Sequence, residues 1–154
     1  MATRGVGIAL ITIVALLLVA PASAFARPYR VASASTAVTT VKVEVGDTAG
    51  VKGPMTMTVT PTSAPAGKVK FTVTNNGTII HEMVVLKTNT AYDKLPVNSK
   101  THKVSEAKSV GEVEDVPKGK TKSKTLTLKK GKYVVGCNIA KHYDMGMRAA
   151  FTVT

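Results

Sequence analysis

From Val41 onward, apolar and polar residues alternate with a period of two. Val41, Val43 and Val45 enclose Lys42 and Glu44; Met55, Met57 and Val59 enclose Thr56 and Thr58; Val69, Phe71 and Val73 enclose Lys70 and Thr72. Successive side chains of an extended chain point to opposite faces, so each run reads as a strand with one face buried and one wet. Further strands are expected over Thr78 to Lys87, Ser109 to Val113, Ser123 to Lys129, Lys132 to Cys137 and Arg148 to Val153. Turn-forming clusters separate them: Gly46-Asp47, Pro61 to Gly67, Asn75-Asn76-Gly77, Pro117 to Gly119 and Lys130-Gly131. About eight short strands without a long helical stretch predict an all-β fold, a Greek-key β-sandwich whose two sheets hide each other's apolar faces. Thr88 to Lys108 breaks the alternation and reads as a loop with room for one helical turn. Asn76-Gly77-Thr78 satisfies the N-glycosylation pattern, but Asn-Gly between two strands is also a hairpin signature, and the turn is the preferred reading.

The N-terminus follows a different pattern. Residues 1–26 carry one positive charge at Arg4, an acid-free apolar run from Gly5 to Ala20, then Pro21 and small residues, the layout of a secretory signal peptide. Ala22-Ser23-Ala24 and Ala24-Phe25-Ala26 both offer cleavage sites, the second preferred. An uncleaved anchor is the alternative, against which the run falls short of the ~20 residues of a spanning helix. Residues 27–40, rich in Ala, Ser and Thr, read as a flexible segment, and 41–154 as the folded domain.

Composition narrows the picture. A chain of 154 residues that is 44% hydrophobic and 19% charged is expected to fold as one domain rather than remain disordered. A single Cys excludes an intramolecular disulfide and a zinc site of several thiolates. The formal charge of +12 points to an anionic partner. Much of that excess lies in Lys118 to Lys132, seven Lys with no acid, but no aromatic residue or reading motif accompanies them, so nucleic acid is not the expected partner. Lys alternating with Ser and Thr reads instead as a solvated sheet face or a guarded edge.

Candidate chemistry sits at the end of the pattern. Cys137, His142, Met145 and Met147 fall within eleven residues between two expected strands, and His81 lies upstream in NNGTIIHEMVVL. A thiolate, two imidazoles and a thioether are the ligands of a type 1, or blue, copper site, in which soft sulfur selects copper and a long axial Met completes a His2Cys plane. Tyr133, Val135 and Cys137 share one face of a strand by the period of two, the following turn returns His142 and a Met over the same point, and His81 comes from a neighbouring strand. His102, in the polar stretch, is expected to be a plain surface residue.

The residues resemble those of the cupredoxins, the plastocyanin and azurin superfamily, over the chain from Val41 to the C-terminus. Gly131, Tyr133 and Cys137 match the family's penultimate strand, and Asn75, Gly77 and His81 match its upstream histidine motif. The spacing C-x4-H-x4-M at Cys137, His142 and Met147 is similar to that of rusticyanin, and the Gly146-Met147 pair makes Met147 the expected axial ligand ahead of Met145. The chain departs from the family at Glu82, where Asn or Ser commonly ties the two ligand segments together, and at Lys141 and Arg148, where Gly is common. A carboxylate and cations beside the metal act on its potential in opposite directions.

The resemblance implies one copper ion held by His81, Cys137, His142 and Met147, and a one-electron carrier rather than an enzyme. It also implies that His142 emerges in an apolar surface patch with Tyr143 and Ile139 nearby, as the port for electrons. Lys141 beside that port suits an acidic redox partner. A copper chaperone or storage protein on the same scaffold is the alternative. A Cys137–His142 nucleophilic enzyme is disfavoured because no orienting residue or oxyanion motif accompanies the pair. An exported monomer is expected, in the periplasm or another extracytoplasmic compartment, touching a membrane only through an uncleaved N-terminus.

Overall fold

The computed structural model describes Met1 and residues 37–154. The expected signal segment 1–26, and most of the expected flexible segment 27–40, lie outside the described residues.

Nine strands and no helix are found among the described residues: β1 (Thr39–Asp47), β2 (Met55–Thr60), β3 (Ser63–Ala64), β4 (Gly67–Asn75), β5 (His81–Lys87), β6 (Ser109–Val116), β7 (Thr121–Leu128), β8 (Gly131–Gly136) and β9 (Arg148–Val153). They form a four-stranded sheet, β2-β1-β4-β7, and a five-stranded sheet, β3-β9-β8-β5-β6. The chain crosses between the sheets at the β2–β3, β3–β4, β4–β5, β6–β7 and β7–β8 connections, which gives the expected sandwich. The strand beyond the expected set is β3, two residues inside the Pro61 to Gly67 cluster that pair in parallel with Thr152 and Val153. β1 begins at Thr39, because parallel pairing with Val69 and Lys70 of β4 extends it upstream of Val41.

The period of two places the core where expected. Val41, Val43 and Val45 face inward with Val69, Phe71 and Val73, against Met83, Val85, Tyr133, Val135, Phe151 and Val153 of the second sheet. Phe71 and Phe151 meet edge to face across the sandwich, with centroids 5.4 Å apart. Each such fully buried side chain contributes about 1.5–3 kcal/mol of transfer free energy. β7 is an edge strand with Lys122 and Lys124 exposed, and Lys122 Nζ donates to the Glu114 carbonyl of β6 at 3.1 Å, so part of the Lys run guards an edge.

Two expectations change. The Asn76-Gly77 turn is not a hairpin, because β4 and β5 belong to different sheets and the segment carries the chain between them. Thr88 to Lys108 forms no helical turn; its regular pairing is one bridge, Val97 to Val104. Its few apolar residues nevertheless do structural work, because Leu95, Val97 and Val104 cover Val84, Leu86 and Val134 on the outer face of the five-stranded sheet, a second core that also takes in Tyr143. β5 and β8 are thus buried on both faces, which explains their unbroken apolar runs.

Two inward-facing series end in polar residues at the same end of the sandwich. β1 runs Val41, Val43, Val45, Asp47, and β4 runs Val69, Phe71, Val73, Asn75, with Val45 and Asn75 in register. The fully buried Asn75 amide donates to the Ile79 carbonyl at 2.7 Å and the Val116 carbonyl at 2.8 Å, and its oxygen accepts from Gly77 N at 2.8 Å. One side chain therefore satisfies two backbone groups of the crossover and ties it to the end of β6. Asn75→Ala is expected to lower the unfolding free energy by about 2–3 kcal/mol, since it strands those buried groups; urea denaturation of the metal-free protein measures it.

Candidate metal centre

His81 opens β5, Cys137 follows β8, and the loop from Asn138 to Met147 returns His142 and Met147 to the same end of the sandwich. Cys137 N donates to the Met147 carbonyl at 3.0 Å and Met147 N to the His142 carbonyl at 3.1 Å, so main-chain hydrogen bonds close the loop upon itself. Gly146 has φ +106°, and a Cβ there would lie 2.9 Å from the Met55 carbonyl, so only glycine lets this loop pass against the start of β2.

The side chains converge. His81 Nδ1 lies 3.2 Å from His142 Nδ1, Cys137 Sγ lies 3.3 Å from the same His142 nitrogen, and one ligand atom from each residue falls within 4.8 Å of the other two. All three residues are at most 1% exposed, and Met147, also fully buried, belongs to the same core cluster as Cys137. Met145 is half-buried at the margin of that cluster. Two imidazole nitrogens and a thiol turned onto one dry point, with a buried thioether in the same cluster, fit a type 1 copper ion by donor chemistry.

Burial sets the protonation of the metal-free site. Desolvation pushes the Cys137 thiol up to about 12, so it holds its proton until a metal displaces it. Desolvation, aided by His81, pulls His142 down to about 4. Burial alone would raise Asp47, but hydrogen bonds from Thr78, His81 and Gly50 outweigh it and hold that carboxyl well below the usual range.

Asp47 and Asn138, which the sequence did not mark as part of the site, complete it together with Glu82. Asp47 Oδ2 lies 2.9 Å from His81 Nε2, the ring nitrogen turned away from the cluster. Its carboxylate also accepts from Gly50 N at 2.7 Å, Thr78 N at 2.7 Å, Ile79 N at 3.3 Å and the Thr78 hydroxyl. Because Thr78 and Ile79 spend their amides on Asp47, β5 starts at His81 instead of the expected Thr78. Glu82 fills the role that its identity obscured: its carboxylate accepts from Asn138 N at 3.0 Å and ties the two ligand segments as Asn or Ser would. Burial raises the Glu82 carboxyl above its ordinary range, against the pull of that amide. Asn138 Oδ1 accepts from Val104 N at 2.8 Å and its amide donates to the Val104 carbonyl at 3.1 Å, which fastens the residue after the thiol to the outer segment. The legible signal was periodicity, since counting by two from Val41 places Asp47 on the buried face.

The expected electron port differs. His142 is 1% exposed rather than emerging at the surface, and Tyr143 is 2% exposed. The cause is the outer segment, into which Tyr143 is drawn: its hydroxyl donates to the Tyr92 carbonyl and accepts from Leu95 N at 3.2 Å, while Lys141 N donates to the His102 carbonyl at 3.0 Å. His102, half-buried, contributes its backbone to that contact. Ile139 is half-buried as well, and Ile80 is the exposed apolar residue next to His81.

The pH dependence of the metal-free protein follows from His142. In the unfolded chain it takes a proton near 6.5, in the folded chain only near 4, so between those values the unfolded state binds more protons and stability falls as pH falls. Asp47, ionised in the fold below the usual carboxylate range, extends the loss to lower pH. Urea midpoints of metal-free protein are expected to drop from pH 7 to pH 4, with a shallower drop between 6.5 and 4 for His142→Gln.

Several solved structures share this fold. Dithionite-reduced auracyanin from Roseiflexus castenholzii aligns with TM-score 0.54 and 20% identity over 75% of this chain and 97% of its own. An azurin, Az-iso2, from Methylomonas sp. strain J aligns with TM-score 0.52 and 18% identity over 78% and 99%. Rusticyanin from Thiobacillus ferrooxidans aligns with TM-score 0.50 and 21% identity over 75% and 77%. No curated protein sequence matches the chain. The family model for the sulfocyanin (SoxE) domain matches residues 29–154. That match spans both sheets and takes in His81, Cys137, His142 and Met147, so the chain belongs to the sulfocyanin family, a blue copper protein on the cupredoxin fold.

Proposed function

We propose that the protein is an exported carrier of single electrons, holding one type 1 copper ion through His81, Cys137, His142 and Met147. The observation that carries this reading is the closed, dry cluster: two histidine nitrogens and a thiol within 4.8 Å, all buried, with Met147 in the same core. Copper supplies a one-electron couple there. The chain's own part is to keep water and substrate out and to hold the ligands still. With protein groups at every position, no coordination site is left for a substrate, which favours transfer of electrons over catalysis on the metal. Ligands locked by main-chain hydrogen bonds and two cores change little between oxidation states, which keeps the reorganisation on transfer small. The same burial disfavours a copper chaperone, which must hand its metal on.

Oxidised, copper-loaded protein is expected to show the intense thiolate-to-copper charge-transfer band, and Cys137→Ser to lack it; a colourless wild type overturns the type 1 assignment. Met147→Leu is expected to alter the spectrum and raise the potential, while Met145→Leu leaves both unchanged. The reverse result moves the axial role to Met145.

The docking surface belongs to the same reading. The connections that meet at the copper end carry exposed Lys52, Lys118, Lys120 and Lys141, and Asn75 binds the β6–β7 connection directly through Lys120 O and Gly119 N. Ile80 and Val51 are exposed among them, at 44% and 58%. An apolar centre ringed by cations suits a redox partner with an acidic rim, the charge raising the encounter rate. Electron transfer to such a partner is expected to slow as salt rises, and Lys118→Glu with Lys120→Glu to slow it at low salt with the copper spectrum unchanged; stopped-flow kinetics measure both.

A further inference from the structure

The carboxylate behind His81 does more than complete a turn. The Asp47 side chain is fully buried, and among the described residues no Lys or Arg pairs with it; His81 Nε2 lies 2.9 Å from its Oδ2. Its remaining contacts are with neutral donors: the Gly50, Thr78 and Ile79 amides and the Thr78 hydroxyl. Five donors hold the anion in a dry site with no Lys or Arg paired to it among the described residues. Carboxylates accept and do not donate when ionised, so the nitrogen facing Asp47 must carry the hydrogen, and in the neutral ring that leaves the lone pair on Nδ1. That lone pair faces His142 Nδ1 at 3.2 Å, inside the cluster. The packing leaves no slack: a Cβ on Gly77 would lie 2.1 Å from Asp47 Oδ2 and 2.9 Å from His81 Nε2, so glycine is what admits the carboxylate to the ring.

We propose that Asp47 is a positioning residue for the metal, one that fixes His81 as the Nε2–H tautomer with Nδ1 turned to Cys137 and His142, and whose charge favours the higher oxidation state of bound copper. This rests on the type 1 copper reading above. The electrostatic part follows from Coulomb attraction in a site of low dielectric: the buried anion attracts a doubly charged ion more strongly than a singly charged one, and the hydrogen bond makes the imidazole a stronger donor. Copper held there would cycle between Cu(II) and Cu(I) by exchanging one electron with the redox partner, with no proton or bond transferred. A carboxylate behind the first histidine therefore lowers the reduction potential, in the direction set by Glu82 and against that set by Lys141 and Arg148.

The experiment measures Cu(II) and Cu(I) affinities of the full-length protein and of Asp47→Asn, each by competition with a chelator selective for that oxidation state. Asn keeps an acceptor oxygen and removes the charge. The expected result is a folded, blue variant whose Cu(II)-to-Cu(I) affinity ratio falls about tenfold or more, equal to a rise of about 59 mV in a one-electron potential. A merely structural Asp47 lowers both affinities together and leaves the ratio where it was; a ratio unchanged within twofold overturns the proposal. Nitrogen-15 NMR of the metal-free wild type, in which no metal on Nδ1 imposes the tautomer, reads it without any variant, and so tests the positioning role if Asp47→Asn does not fold. A slowly exchanging proton on His81 Nε2 is expected, and its absence overturns the assignment. A wild type without the charge-transfer band sinks the copper reading and the proposal together, whereas a blue wild type with an unchanged ratio in the variant sinks the proposal alone.

Discussion

A buried anion facing a buried imidazole is the constraint around which the copper end is arranged. Asp47 and His81 are both removed from water, and among the described residues no Lys or Arg pairs with the carboxylate. A charge in that position is tolerated only when it is saturated with hydrogen bonds. The crossover from β4 to β5 supplies them: Thr78 and Ile79 turn their amides to Asp47, Gly77 leaves room for its oxygen, and Asn75 takes up the backbone groups that the turn exposes. The start of β5 and the aim of His81 are therefore consequences of where one carboxylate sits.

The other half of the site depends on packing rather than charge. The segment between β5 and β6 lays Leu95, Val97 and Val104 over the outer face of the five-stranded sheet. In doing so it captures the ligand loop at three points, through Asn138, the Lys141 amide and the Tyr143 hydroxyl. The loop that carries Cys137, His142 and Met147 is thus held between two cores. This explains the burial of His142, and it holds the ligand loop in place as the proposed role in electron transfer needs. The Arg148 guanidinium lies over the Tyr143 ring at 4.9 Å and donates to the Tyr143 carbonyl, so the residue that departs from the family's usual glycine fastens the loop's exit.

Legibility followed the physics of each feature. Alternation in MTMTV and VKFTV was readable because those strands have one wet face, and every strand expected from Met55 to Val153 formed within a few residues of its expected position. His81, Cys137 and His142 were readable because ligand chemistry restricts residue type and a short loop restricts spacing, and the fold brings them together. Glu82 was harder, because an acceptor for the Asn138 amide is a role that Asn, Ser and a carboxylate all fill, and residue identity does not separate them. The hairpin at Asn76-Gly77 and the exposed His142 failed for a common reason: which sheet a strand joins, and which distant segment covers a loop, are non-local facts.

By itself the sequence determined the local terms: the period of two, the turn residues, the donor set and its spacing, and the inward phase of Asp47 and Asn75. These follow from backbone geometry and side-chain chemistry within a few residues. Only the tertiary structure decided that β4 and β5 part into different sheets, that a polar stretch of the chain closes a second core, and that Asp47 meets His81 from 34 positions away. Those outcomes depend on which surfaces exclude water from one another, and that is a property of the assembled sandwich rather than of any segment of it.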